Sequence, residues 1–229
     1  MSMMRANNRH LIAVPAYNEE NNIGRLVDAL LDHVSGDDIL IIDDGSSDST
    51  LETARSTSAN VIAHEMNRGK GEALKTAFRY SVSEGFAGVI TIDADLQHDP
   101  AMIPAFIDMA ESGFFDLIVG RRTRTPNMPI ERKITNFGLS VLISMFAGVR
   151  IRDTQSGYRW LSCDIAKKLR LRTSGYDLET EILLMAGMLG ARIGEVDIPT
   201  IYSEDAKSHI RPVRDTIKMA RLIGSSIFW

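Results

Sequence analysis

The sequence predicts an α/β fold, a mostly parallel central sheet flanked by helices, and three features carry that expectation. Short apolar runs alternate with helical patterns through the first half of the chain. The runs are apolar throughout rather than alternating, as strands covered on both faces are. Polar clusters follow the runs, and open parallel sheets bind ligands at the carboxyl ends of their strands.

The elements follow in order. His10–Val14 (HLIAV) is the first run and Glu19–Val34 reads as a helix. Ile39–Ile42 (ILII) is the second run, followed by a Ser/Asp-rich turn and a helical stretch Thr50–Ser58. Asn60–Ala63 is a weaker run, and Gly71–Ser83 is helical. Gly88–Ile92 (GVITI) is strand-like, Pro100–Ser112 is helical, and Asp116–Val119 (DLIV) closes the βαβ series. The second half differs. Thr123–Ile130 carries two prolines and reads as a loop, and Ile134–Val149 has apolar residues near helical spacing. Arg150–Arg159 is polar and turn-rich, Tyr176–Leu189 helical, Ala191–Tyr202 a long strand, and Asp215–Ile227 a terminal amphipathic helix. With no internal repeat, one domain over 1–229 is expected, with a ligand-binding half over about 10–122 and a second functional half over about 123–229.

Composition bounds the function. The chain has 229 residues, 44% hydrophobic and 24% charged, so disorder is a poor reading. A net charge of −4 disfavours a whole-chain basic field for nucleic acid. One cysteine, Cys163, excludes an internal disulfide framework and a multi-thiolate zinc site, and suggests a reducing compartment. No apolar run reaches the roughly 18 residues that a spanning helix needs, and MSMMRANNRH lacks a signal-peptide core. The expected location is cytoplasmic.

The sharpest motif is DADLQHDP, Asp93–Pro100, after the fourth run. Asp93 and Asp95 stand two apart, so in extended chain they share a face. Two such carboxylates repel unless a cation lies between them or one is protonated. Mg²⁺ and Mn²⁺ take oxygen ligands and share them with substrate phosphates, and Gln97 and His98 are placed to orient that shell. For Asp-x-Asp alone a solvated acidic turn is the more frequent explanation, and short motifs of this kind are hypotheses. In IDDGSSDST, Ile42–Thr50, Asp44 can accept from ribose hydroxyls or a base N–H, while Ser47 and Asp48 suit a helix cap. In VPAYNEE, Val14–Glu20, Pro15 stiffens the strand exit, Tyr17 offers a stacking ring, Glu19 offers an acceptor, and Asn18 is a cap candidate. NRGKG, Asn67–Gly71, lets backbone approach a ligand while Lys70 brings a charge. G-x-x-x-x-G-K-[ST], G-x-G-x-x-G and H-E-x-x-H are all absent, which argues against P-loop hydrolysis, common dinucleotide binding and zinc proteolysis.

In this order, VPAYNEE, DDGSSDST, NRGKG, DADLQHDP, GRR and DTQSGYR resemble the family-2 inverting glycosyltransferases with the GT-A fold. The resemblance is to the polyprenyl-phosphate types, dolichol-phosphate mannose synthases and undecaprenyl-phosphate sugar transferases, over roughly residues 10–215. It implies a nucleotide-diphosphate sugar donor (GDP- or UDP-linked), a polyprenyl phosphate acceptor and Mg²⁺ or Mn²⁺. Pro15, Ala16, Tyr17, Glu19, Ile42, Asp44 and Lys70 match nucleotide-sugar positions. Asp93, Ala94 and Asp95 match the diphosphate and metal segment, with Asp95 the most direct ligand and Gln97 a further one. Arg122 and Arg132 match phosphate-contacting arginines, and Asp153 an acidic residue near the reaction centre. The match loosens at Thr200-Ile201-Tyr202, where mannose synthases carry an arginine; Lys207 and Arg211 of AKSHIR are the replacement candidates.

The implied chemistry is loss of a diphosphate stabilised by positive charge, with attack on the anomeric carbon from the opposite face. An ionised phosphate acceptor needs positioning more than a base; a hydroxyl acceptor needs a base, for which Asp153 is the candidate. Glu179 and Glu181 do not share a helix face, and Glu179 reads equally as an acceptor-loop organiser or a surface carboxylate. A soluble glycosyltransferase extending a glycan or protein is the alternative; a sugar-nucleotide-binding or nucleotidyl-transferring protein is a weaker one. The stripe Ile134, Phe137, Val141, Leu142 and Met145 beside Arg132 and Lys133, with the terminal Phe228-Trp229, suggests peripheral contact with an anionic membrane surface. A homo-oligomer is the competing use of that surface.

Overall fold

A computed structural model of the chain describes residues 8–123, 144, 151–175 and 177–199. Its strands are β1 His10–Ala16, β2 Ile39–Asp43, β3 Asn60–Ala63, β4 Gly88–Thr91, β5 Leu117–Arg122, β6 Arg159–Ser162 and β7 Ile193–Ile198. Helices α1 Ile23–Leu31, α2 Thr50–Arg55, α3 Lys70–Ser83 and α4 Ile103–Glu111 connect the first five strands, and helices Cys163–Ala166 and Leu178–Met188 follow β6. The seven-stranded sheet has the order β3-β2-β1-β4-β6-β5-β7. Pairings are parallel except those of β6, which runs against both β4 and β5.

The expected apolar runs are the central strands because both faces are covered. β1, β2 and β4 are buried at every position. Leu11, Ala13, Leu40, Ile42 and Val89 pack on one side with α3 and the helix Leu178–Met188. Ile12, Val14, Ile39, Ile41 and Ile90 pack on the other with α1 and α4. The result is a three-layer α/β domain. Strand β1 extends through Pro15, which is tolerated because pairing with β4 ends at Ala13 and Thr91. Helix α1 starts at Ile23, later than expected, since 19–22 form a turn in which Asn22 N and Ile23 N both donate to Glu19 O.

Strand β6 is the element the pattern did not reveal. Arg159–Ser162 is too short and too polar at its start to show apolar periodicity. Its place is secured by Trp160, whose indole lies where a Cβ at Gly88 would sit and whose Nε1 donates to His10 Nδ1 at 3.0 Å. Because β6 is antiparallel, the chain entering it lies beside the carboxyl end of β4, with Thr91 opposite Arg159. This puts 153–158 at the active edge. The expected helices at 134–149 and 215–227 lie outside the described residues, as does the end of the expected long strand beyond 199. Among the described residues no helix is long and apolar enough to cross a membrane.

His10 supplies a pH test. Burial lowers its pKa from 6.5, against the pull of Glu111 and Asp38. The native state therefore holds it neutral, accepting from Trp160, while the unfolded chain protonates near pH 6.5. Its stabilisation is present above that pH and lost as pH falls. Urea unfolding of wild type at pH 7.5 and 5.5 should show a loss of stability on acidification that is smaller in His10→Gln.

Candidate active site

The strand order reverses at β1, which has β2 on one side and β4 on the other. The crevice outside the carboxyl ends of β1 and β4 is thus the topological switch point where such sheets bind ligands. Four segments converge there: 15–20 after β1, 43–49 after β2, 67–70 before α3 and 93–98 after β4.

The first two loops are stapled together. Asn18, at φ 56°, donates from its N–H to Ser46 Oγ and accepts from Ser47 N, both at 2.9 Å. It joins two loops instead of capping α1. Asp48, one residue before the N-cap Ser49, accepts from Thr50 N at the start of α2 at 3.0 Å, and Thr50 Oγ1 accepts from Glu19 N at 2.7 Å. Tyr17 is left 46% exposed, open to a stacking partner. Burial raises the Glu19 pKa; the bond from Asn22 opposes this, and Asp95, Asp48 and Asp93 add to it. Pro15, Ala16, Ile42 and Ala94 are buried at the ends of β1, β2 and β4.

Asp44 is committed within the protein. Its carboxylate accepts from Gly69 N at 2.7 Å and Arg68 N at 3.1 Å and lies 2.6 Å from His64 Nδ1. It fixes the NRGKG loop at the crevice. Neighbouring Asp43, which the sequence reading passed over, is 1% exposed, and its Oδ1 has no hydrogen-bond partner among the described residues.

Lys70 reaches the centre. Its Nζ lies 2.6 Å from Asp93 Oδ1 and 2.7 Å from Glu179 Oε1. Burial pushes the lysine down and Asp93 up, but their pairing outweighs it: Lys70 ends well above and Asp93 well below its ordinary range. Glu179 is therefore a buried partner of Lys70. Glu181 points elsewhere, accepting from Arg172 N at 2.8 Å and Thr173 N at 2.9 Å. Arg159, which the sequence reading also passed over, is 3% exposed and donates to the carbonyls of Thr154, Ser156 and Glu179. Its guanidinium ties the 153–158 loop to the helix Leu178–Met188.

Asp95 is different. Burial raises its pKa, and the charge of Asp93 raises it further; Gln97 N, donating to its Oδ1 at 3.0 Å, opposes this. Leu96 between them holds φ 60°, a strained conformation for leucine that brings Gln97 N back to Asp95. Among the described residues no three His, Cys, Asp or Glu side chains form a metal cage. Mg²⁺ binds through one or two carboxylates plus substrate phosphate. Asp95 and Asp93, with Gln97 adjacent, fit that mode, and the under-compensated charge on Asp95 favours a cation.

On the far side of the crevice, Arg122 grips Asp153 through Nε at 2.7 Å and Nη2 at 2.9 Å, while its backbone N donates at 3.2 Å. Burial raises Asp153, but Arg122 outweighs it and holds the carboxyl below its ordinary range. Arg132, Lys207 and Arg211 lie outside the described residues.

Residues 11–170 match the model of glycosyl transferase family 2. The chain is 35% identical over 216 residues to a UDP-N-acetylglucosamine–dolichyl-phosphate N-acetylglucosaminyltransferase of Methanococcus voltae, covering 84% of this chain and 86% of that one. It is 28% identical over 213 residues to an undecaprenyl-phosphate mannosyltransferase of Micrococcus luteus, covering 87% and 86%. In fold it resembles glucosyl-3-phosphoglycerate synthase from Mycobacterium tuberculosis, solved with Mn²⁺, UDP and glucosyl-3-phosphoglycerate. The TM-score is 0.74 at 21% identity, over 97% of this chain and 80% of that one.

Gly157 tests the packing of the centre. A Cβ there would stand 2.7 Å from Asp93 Oδ2 and 3.0 Å from Lys70 Nζ. Gly157→Ala should lower stability by about 1–3 kcal/mol and reduce glycosyl transfer at least about tenfold. Thermal melts and initial rates on the same preparation check both effects.

Proposed function

The chain belongs to glycosyl transferase family 2, and from that premise we propose that it transfers a sugar, with inversion, from a nucleoside-diphosphate sugar to a polyprenyl phosphate. The observation that carries the acceptor class is the Arg122–Asp153 pair. A hydroxyl acceptor requires a group that takes its proton, and a carboxylate gripped by two guanidinium N–H groups and held below its ordinary range is a weak base. A phosphate oxygen is already ionised near neutral pH and attacks without one. Asp153 then aims Arg122, and Arg122 aims the phosphate. The relatives named for dolichyl and undecaprenyl phosphate support the same class.

Tyr17 and the unpartnered Asp43 Oδ1 face the nucleoside end of this reading, while Asp44 acts indirectly by holding the 67–70 loop. Asp95, Asp93 and Gln97 would hold Mg²⁺ or Mn²⁺, which when bound supplies the charge that stabilises the departing diphosphate. The acceptor enters opposite, beside Arg122, with Arg132, Lys207 and Arg211 as further phosphate contacts from the second half of the chain. A long apolar acceptor sits in a bilayer, so the protein works against an anionic membrane surface, using the apolar, basic-ended stretch at 134–149.

Three measurements test this. The protein is incubated with UDP- and GDP-sugars, Mg²⁺ or Mn²⁺, and either a short polyprenyl phosphate or the matching free polyprenol. Label should pass to the phosphate and not the alcohol; transfer to the alcohol alone overturns the acceptor assignment. Asp95→Asn should lose about 100-fold or more in turnover while folding normally, whereas Asp153→Asn should keep donor affinity and lose transfer. In liposome flotation wild type should float with anionic vesicles, and Phe137→Glu with Val141→Glu should remain at the bottom.

A further inference from the structure

We propose that Lys70 is an internal stand-in for the divalent cation: held by Glu179, it neutralises Asp93 in the empty site and makes cation binding depend on the nucleotide. The inference rests on the metal reading under Proposed function and adds a residue that sets the order of binding.

The geometry is that of a shared charge. One ammonium contacts Asp93 at 2.6 Å and Glu179 at 2.7 Å, with its side chain 17% exposed. The two carboxylates come from opposite halves of the chain, Asp93 from the end of β4 and Glu179 from the first turn of the helix Leu178–Met188. The backbone at Gly157 passes so close over the pair that a Cβ there would stand 2.7 Å from Asp93 Oδ2 and 3.0 Å from Lys70 Nζ. Behind Glu179, Arg159 holds that residue's carbonyl. At the N-terminus of α3 the backbone of Gly71 donates to Ser174 O at 2.9 Å, and Gly69 and Gly71 lack the Cβ atoms that would strike that residue. Lys70 is thus anchored from both sides of its own backbone, and the two carboxylates hold its ammonium beside Asp93.

A divalent cation arriving alone at Asp93 and Asp95 meets this ammonium at close range and must compete with it for Asp93. At an effective dielectric near 20, like charges a few ångströms apart repel strongly enough to change affinity by tenfold or more. A nucleoside diphosphate adds the negative charge that lets the cation and Lys70 remain together. Glu179 retains Lys70 when Asp93 is shared. Cation and nucleotide therefore bind with positive coupling, and by linkage each raises the affinity of the other.

The test is Mn²⁺ binding, read from the loss of the free-ion electron paramagnetic resonance signal, with and without UDP or GDP and corrected for Mn²⁺–nucleotide complexes in buffer. Wild type should bind Mn²⁺ weakly alone and at least about tenfold more tightly with nucleotide. Lys70→Gln should bind Mn²⁺ alone at least about tenfold more tightly than wild type, with a smaller nucleotide gain. Lys70→Arg should behave like wild type. Glu179→Gln removes one of the two carboxylates that hold Lys70 and should bind nucleotide-free Mn²⁺ more weakly, which decides the matter if Lys70→Gln does not fold. Wild-type Mn²⁺ binding with no gain in Lys70→Gln, or a gain in Glu179→Gln, overturns this inference and leaves the metal reading intact. Absence of Mn²⁺ binding by wild type with nucleotide overturns the metal reading and the inference with it.

Discussion

The Nζ of Lys70 sits between Asp93 and Glu179 in a crevice that four loops and an antiparallel strand build around it. Removing that ammonium would leave the half-buried Asp93 and the buried Glu179 without it, beside a third carboxylate, Asp95, whose pKa is already raised. Buried charges persist only when paired and held in good geometry, and much of the surrounding structure provides that holding. Asp44 fixes the loop that starts α3, Gly71 docks that loop on Ser174, Gly157 lets the chain pass over the ion pair, and Arg159 ties this passing loop to the helix that carries Glu179. The first and second halves of the chain are in this way joined through charge at the crevice.

The central strands were legible because a strand covered on both faces must be apolar at every position. The runs from His10, Ile39 and Gly88 appear as strands within two residues of where their composition put them, and the weaker run from Asn60 is the edge strand β3. Strand β6 was not legible, since its place depends on a tertiary fit: the absent Cβ of Gly88 beneath the Trp160 indole and the hydrogen bond from Trp160 to His10. Periodicity carries no information about such a fit. Yet β6 is what moves Asp153–Tyr158 from a turn-rich segment of unknown location to the edge of β4.

The site was legible as residue types at strand ends, and less so as partnerships. Asp93, Asp95, Lys70, Arg122 and Asp153 do gather at one edge. Their pairing came only with the fold, because Lys70 with Glu179 and Arg122 with Asp153 bring together residues far apart in the chain. Of the adjacent carboxylates at the end of β2, the sequence pointed to Asp44. The structure separates them, Asp44 saturated by the 67–70 loop and Asp43 left with one oxygen that has no hydrogen-bond partner among the described residues. Glu179 had two readings on a helix surface, and burial against Lys70 removes the surface one.

The joining of the two halves through Lys70 and Glu179 is tested most directly by a double-mutant cycle on unfolding free energy. Wild type, Lys70→Met, Glu179→Gln and the double variant would be unfolded in urea without nucleotide or metal. Each single change should cost more than its share, and the double variant should recover part of the loss, giving a coupling above about 1 kcal/mol. A coupling within about 0.3 kcal/mol of zero would contradict the account, because it would make the two side chains neighbours without dependence on one another.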